Sequence, residues 1–86
     1  MQKGYNSDLI VQGKTYHVQT EDWGLDNPFI VSRIFHNGAV IRTVKISHRE
    51  VLLKAPLGRS DGLKWALQKL HSQVIEELAH PISVEK

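Results

Sequence analysis

Phe29-Ile30-Val31-Ser32-Arg33-Ile34-Phe35-His36, then Asn37-Gly38, then Ala39-Val40-Ile41-Arg42-Thr43-Val44-Lys45-Ile46 is the stretch that decides the fold. Two runs rich in β-branched and aromatic residues flank an Asn-Gly pair. Asn-Gly is the preferred centre of a type I′ turn, because both central residues need positive φ. The stretch therefore predicts an antiparallel hairpin. With Asn37 and Gly38 central, Phe35 faces Val40, Val31 faces Val44 and Phe29 faces Ile46 on one side. Ile34 faces Ile41, Ser32 faces Thr43 and Ile30 faces Lys45 on the other. Arg33 and Arg42 then lie directly opposite each other, on the phenylalanine side. Like charges across a strand pair repel, and a buried charge requires a partner. That side is expected to face outward and meet an acidic or apolar partner, or the arginines must snorkel to the rim. A one-residue slip would exchange the two sides.

Upstream, Ser7–Val11 and Lys14–Glu21 flank Gln12-Gly13, a second tight hairpin. Alternation groups Leu9, Val11, Tyr16 and Val18 on one face, and Ile10, Thr15, His17, Gln19 and Glu21 on the other. Between the hairpins, residues 22–28 read as a loop from their glycine, proline and Asx content. Trp23 and Leu25 in that loop are expected to plug the core edge. Downstream, Ser47-His48-Arg49-Glu50 has the form of a capping box. It predicts a short helix through Lys54, ended by Pro56 and Gly58. Ser60 or Asp61 is expected to cap a long helix. Leu63, Ala66, Leu67, Leu70, Val74 and Leu78 make its apolar stripe, and Lys64, Gln68, Ser72, Gln73, Glu76 and Glu77 its wet side. Trp65 lies off that stripe, where it flanks the core or marks a second contact, and His80-Pro81 stops the helix.

The expected fold is α+β, a single domain over residues 1–86. An antiparallel β-meander of four strands precedes a short helix and one long C-terminal amphipathic helix packed on the sheet. Its expected core is Leu9, Val11, Tyr16, Val18, Ile30, Ile34, Ile41, Leu63, Leu67, Leu70 and Val74. At 86 residues there is room for one core, and such a chain buries only roughly 60–65% of its surface on folding. The absence of cysteine removes disulfides and thiolate metal sites. It suits a cytoplasmic setting. No apolar run exceeds three residues, whereas a spanning helix needs about 20, so no membrane segment or secretory signal is expected.

The net charge of +2 is unevenly placed. Residues 33–69 carry eight basic side chains against two acidic ones, a local net of +6, and the flanking spans are each −2. Either the acidic ends fold back over the basic middle, or the middle steers an acidic partner.

Tyr16-His17-Val18-Gln19-Thr20-Glu21-Asp22, Asn27-Pro28 and Arg33-Ile34-Phe35-His36-Asn37-Gly38-Ala39-Val40 resemble a group of short bacterial proteins of unassigned function. The resemblance covers roughly residues 5–75. It implies a bacterial, cytoplasmic protein with a C-terminal helix, and it brings no activity or functional residue.

The residues themselves offer little chemistry. There is no cysteine and no Gly-x-Ser-x-Gly elbow. Ser47-His48 and His71-Ser72 are adjacent pairs, whose side chains point apart. His17, Gln19 and Glu21 share a strand face, which suggests a two-ligand metal site, but the same pattern is what a wetted strand shows. The pairs Glu21-Asp22 and Glu76-Glu77 do not read as enclosed, as general acid–base work requires. Gly58-Arg59-Ser60-Asp61-Gly62 opens a helix and carries a cation, yet lacks the lysine and spacing of a P-loop. No catalytic, metal or cofactor residue is therefore expected, and the chain reads as a non-enzyme.

A two-sided apolar sheet on so small a chain points instead to a protein-interaction module, with a homodimer as its simplest form. Phe29, Val31, Arg33, Phe35, Val40, Arg42 and Val44 are the expected interface, the arginines pairing with groups such as Glu21 or Asp22. The rival reading is a nucleic-acid binder that uses the basic 33–69 region, with Phe29 and Phe35 to stack bases.

Overall fold

The computed structural model describes residues 4–54 and 58–79, with only the backbone at 59 and 60. Two tight turns organise the sheet. Gln12 and Gly13 have φ of 52° and 79°, and Asn37 and Gly38 have 53° and 80°. Positive φ at both central residues makes each turn type I′, whose twist matches that of paired strands. The strands are β1 (Gly4–Val11), β2 (Lys14–Asp22), β3 (Phe29–His36) and β4 (Ala39–Ser47), antiparallel and in sequence order across the sheet. Helices α1 (His48–Lys54) and α2 (Arg59–Ala79) follow. The architecture is thus the expected α+β meander with a short and then a long helix.

The first hairpin keeps the register its turn dictates, with Val11 opposite Lys14 and Leu9 opposite Tyr16. The second does not. Phe35 pairs with Val40, but Ile34 pairs with Arg42, Arg33 with Thr43, Ser32 with Val44 and Ile30 with Ile46. Ile41 is left over as a β-bulge between two regular stretches of ladder. It is 54% exposed rather than part of the core. Past the bulge every residue of β4 changes side. Arg42, Val44 and Ile46 turn toward the helices, while Thr43 and Lys45 turn outward. This removes the Arg33–Arg42 opposition and lifts Lys45 out of the core. The straight register would have imposed both penalties, and one unpaired residue avoids them.

One layer of helix covers one face. α2 lies against β1, β2 and β3, and α1 lies against β4 and α2. Val18, Ile30, Ile34, Val51, Ala66, Leu67, Leu70 and Val74 form the core, with Leu9, Tyr16, Val44, Ile46, Leu63, Ile75 and Leu78 packed around it. Val11 is half-buried at the turn end of the first hairpin.

The helix starts follow local chemistry. The Glu50 N–H donates to Ser47 Oγ at 3.1 Å, so the serine caps α1 as expected. α2 begins earlier than expected. The Gly62 N–H reaches the Gly58 carbonyl at 2.6 Å, so Gly58 holds the cap position in place of Ser60 or Asp61. Asp61 sits in the first turn, where a carboxylate favours the positive end of the helix dipole. The expected stops at Pro56 and His80-Pro81 lie outside the described residues. Among the described residues no helix is long and apolar enough to cross a membrane.

Two measurements check this packing. Ile30→Ala, at a fully buried position, costs about 3–4 kcal/mol, read as a lower urea midpoint. Deleting Ile41 leaves every later residue of β4 with its present partner. The deletion variant therefore keeps native circular dichroism and a cooperative transition, and its collapse would contradict the bulged register.

Candidate interaction face of the sheet

The face away from the helices is built by alternation. β2 contributes His17, Gln19 and Glu21, and β3 contributes Phe29, Val31, Arg33 and Phe35. Val40 and Lys45 of β4 lie beside Phe35 and Val31. Five of the seven expected interface residues therefore share this face: Phe29, Val31, Arg33, Phe35 and Val40. Arg42 and Val44 do not, because the bulge carries them to the helix side. There Arg42 pairs with Glu77 of α2 at 3.2 Å, and Val44 packs against the core.

Among the described residues no element lies over the outer face, yet Val31 is only 2% exposed. Its neighbours' long side chains roof it. Lys45 Nζ stands 4.6 Å from the centre of the Phe29 ring and 5.3 Å from that of Trp23. Arg33 reaches Glu21 at 3.3 Å and lies 6.0 Å from the centre of the Phe35 ring. Glu21 also accepts from Gln19 and from the Trp23 indole. Trp23 thus joins the outer face beside Phe29 instead of plugging the core edge, and Leu25 is exposed.

The loop that places Trp23 and Phe29 is tied down. The Trp23 N–H donates to the Phe29 carbonyl at 2.9 Å, and the His48 N–H to the Pro28 carbonyl at 2.8 Å. His48 Nε2 meets Asp22 Oδ1 at 2.7 Å, and that oxygen also accepts from the Gly24 N–H. Nε2 donates to that carboxylate, and buried Nδ1 has no hydrogen-bond partner among the described residues. A buried polar atom left unpaired costs about 1–3 kcal/mol, and a hydrogen bond to a carboxylate contributes about 1.5–3 kcal/mol in the other direction.

Electrostatically the outer face is balanced, with Arg33 and Lys45 against Glu21 and Asp8. Asp8 lies 2.8 Å from His17 Nδ1. The basic middle of the chain does not form one patch. Arg33 and Lys45 are outward, Arg42 is on the helix side, and the rest ride on α1 and α2. Glu21 and Glu77, from the two acidic ends, pair with Arg33 and Arg42 from the middle. Among the described residues, each acidic end thus meets the basic span through one ion pair. His17 and Glu21 do not combine as metal ligands. They sit four residues apart on one strand, about 13 Å, and each is engaged elsewhere. Among the described residues no group of three ligating side chains converges.

The helix side holds a polar cluster that sequence reasoning missed. His71 of α2 is buried on the sheet, with Nε2 at 2.9 Å from Ser7 Oγ and Nδ1 at 2.7 Å from Thr20 Oγ1. Thr20 Oγ1 continues to Ser32 Oγ at 2.8 Å. Tyr5 stacks on the imidazole with ring centres 5.5 Å apart. A hydroxyl beside an oriented imidazole resembles a nucleophile and its base. Here the orienting group is another hydroxyl rather than a carboxylate. The cluster fixes α2 on the sheet. Its signal was present in the sequence: Thr20 and Ser32 occupy the apolar parity of their strands, and His71 falls within the apolar stripe of α2.

No family model matches the chain, and no curated protein or solved structure matches it either.

Burial holds the His71 imidazole below the ordinary histidine range, and His17 pushes it the same way. The unfolded chain takes up this proton near pH 6.5, the folded chain only at lower pH. Between the two the unfolded state binds more protons, so stability falls as pH drops below about 6.5. The hydroxyls around His71 can still accept from a protonated ring, so the penalty is buried charge rather than a broken bond. Urea midpoints at pH 7.5 and pH 5 should show a smaller acid loss in His71→Gln than in the parent chain. Equal losses would remove His71 as the cause.

Proposed function

We propose that this chain is a non-catalytic protein-interaction module that self-associates through its sheet. The observation that carries the reading is that both helices cover the same face. Among the described residues the opposite face is left as surface, with Phe29, Arg33, Phe35 and Val40 on it and Trp23 and Lys45 beside them. Its charges balance, and Val40 and Trp23 are exposed among half-buried aromatic and aliphatic groups. A surface of this kind suits a protein partner, and a second copy is the simplest one. The cysteine-free composition supports a reducing, cytoplasmic setting, and the resemblance to short bacterial proteins supports a bacterial one.

The alternation of cation and ring at Lys45, Trp23 and Phe29 favours a second reading, in which single-stranded nucleic acid stacks on the same face. Arg33 speaks less for it, because Glu21 already holds that guanidinium.

Light scattering after size exclusion separates the two. Self-association gives a mass at least double the 9.8 kDa of one chain, unchanged between low and high salt and lowered by Val40→Asp. A 9.8 kDa species at every salt concentration would rule it out. Nucleic-acid absorbance that salt strips away would favour the stacking platform, since phosphate binding weakens steeply with salt.

A further inference from the structure

The sheet has two free edges among the described residues, and they differ. β4 carries the bulge at Ile41 and the exposed cations Arg42 and Lys45. Bulges and basic residues are what natural sheets use to block edge pairing. β1 has neither. It runs unbroken for eight residues, Gly4–Val11, with no proline, no basic residue and no irregularity in its ladder. Tyr5 is 41% and Ile10 77% exposed along it.

The turn fixes which main-chain groups of β1 are free. Val11 and Lys14 close a two-residue turn and form a hydrogen-bonded pair. Alternation then points the N–H and C=O groups of Leu9, Ser7 and Tyr5 toward β2. Those of Gly4, Asn6, Asp8 and Ile10 point away from the sheet.

We infer that β1 pairs antiparallel with β1 of a second copy about a two-fold axis at Ser7, joining two sheets into one of eight strands. The inference rests on the reading that the chain self-associates, and it adds a contact at the sheet's edge to the one through the outer face. Free groups must meet free groups, so a two-fold axis can pass only through a β1 residue and not between two. An axis at Asp8 would set two carboxylates face to face. An axis at Ser7 sets Asn6 opposite the partner's Asp8, where an amide donor meets a carboxylate already leaning on His17. It also sets Tyr5 opposite the partner's Leu9, an apolar pair on the helix side. Gly4 falls opposite the partner's Ile10, the most exposed apolar residue of the strand. The two outer faces then lie side by side on one surface, so the edge contact and a contact through the face are separable.

The test uses the absence of native cysteine. At the axis, Ser7 and the partner's Ser7 form a non-hydrogen-bonded pair with Cα atoms about 4.5 Å apart, within disulfide range. Mild oxidation of Ser7→Cys should give a covalent dimer on non-reducing electrophoresis. Asn6→Cys should not, because its partner position is Asp8 and the two new thiols lie about 8 Å or more apart. Asn6→Pro removes an outward N–H while leaving the ladder to β2, and should lower the mass of the native species; Asn6→Ala should not. A multimeric mass with no cross-link in Ser7→Cys and no effect of Asn6→Pro overturns the edge contact and leaves self-association through the face. A single-chain mass for the parent overturns both. Should Ser7→Cys fail to fold for want of its bond to His71, the Asn6→Pro and Asn6→Ala masses decide alone.

Discussion

The unpaired residue in β4 governs the packing of everything after the second turn. Side chains alternate strictly along a strand, so a single extra residue reverses the sense of all that follow. With Ile41 set aside, Val44 and Ile46 meet α1 and α2, and Arg42 reaches the rim where Glu77 waits. Without it, Lys45 would lie across from Ile30 beneath the helices. The placement of α1 depends on the same offset, because Val51 needs the apolar floor that Ile46 supplies. The outer face depends on it too, since Lys45 is what roofs Val31, Phe29 and Trp23.

Among the described residues one helical layer covers one face of the sheet and leaves the other in water. The domain manages that face with long amphipathic side chains rather than with polar residues alone. The stems of Lys45 and Arg33 lie over rings and aliphatic groups while their charges stay wet. Glu21 collects Arg33, Gln19 and the Trp23 indole at one point. Ion pairs this open contribute under about 1 kcal/mol each. Their larger effect is to hold the roof in one arrangement, so that Val31 stays dry beneath side chains alone.

Most of the architecture could be read from residues alone. Asn-Gly and Gln-Gly marked the turns, the spacing from Leu63 to Leu78 marked α2, and Ser47 with Glu50 marked the start of α1. The bulge left no local signature, because Ile41 has as much right to a strand interior as Val40. Its trace was indirect: the straight register opposed Arg33 to Arg42 and set Lys45 against Ile30, and those conflicts were symptoms of a missing residue in the count. The residues expected to share the outward side accordingly do so along β3, whereas Arg42 and Val44, beyond the bulge, do not. Lys45 was missed for the same reason, and Trp23 because its loop's path depends on Asp22 meeting His48 across 26 residues of chain. The His71 cluster joins residues 51 and 64 positions apart. Strand parity and the helix stripe placed its members on the buried sides, but which of them meet could be seen only once the crossing of α2 over the sheet was known.

That cluster also settles where the long helix comes to rest. An apolar stripe repeated at three and four residues is nearly self-similar, so hydrophobic contact alone gives α2 several comparable positions, each one turn from the next. Sliding by a turn would bring Leu67 or Ile75 over Thr20 and Ser32 and carry the imidazole onto Val18 or its neighbours. Each hydroxyl then stranded would cost about 1–3 kcal/mol. Three hydroxyls and one imidazole therefore act as a detent, and they turn a greasy, translationally degenerate contact into a single seat.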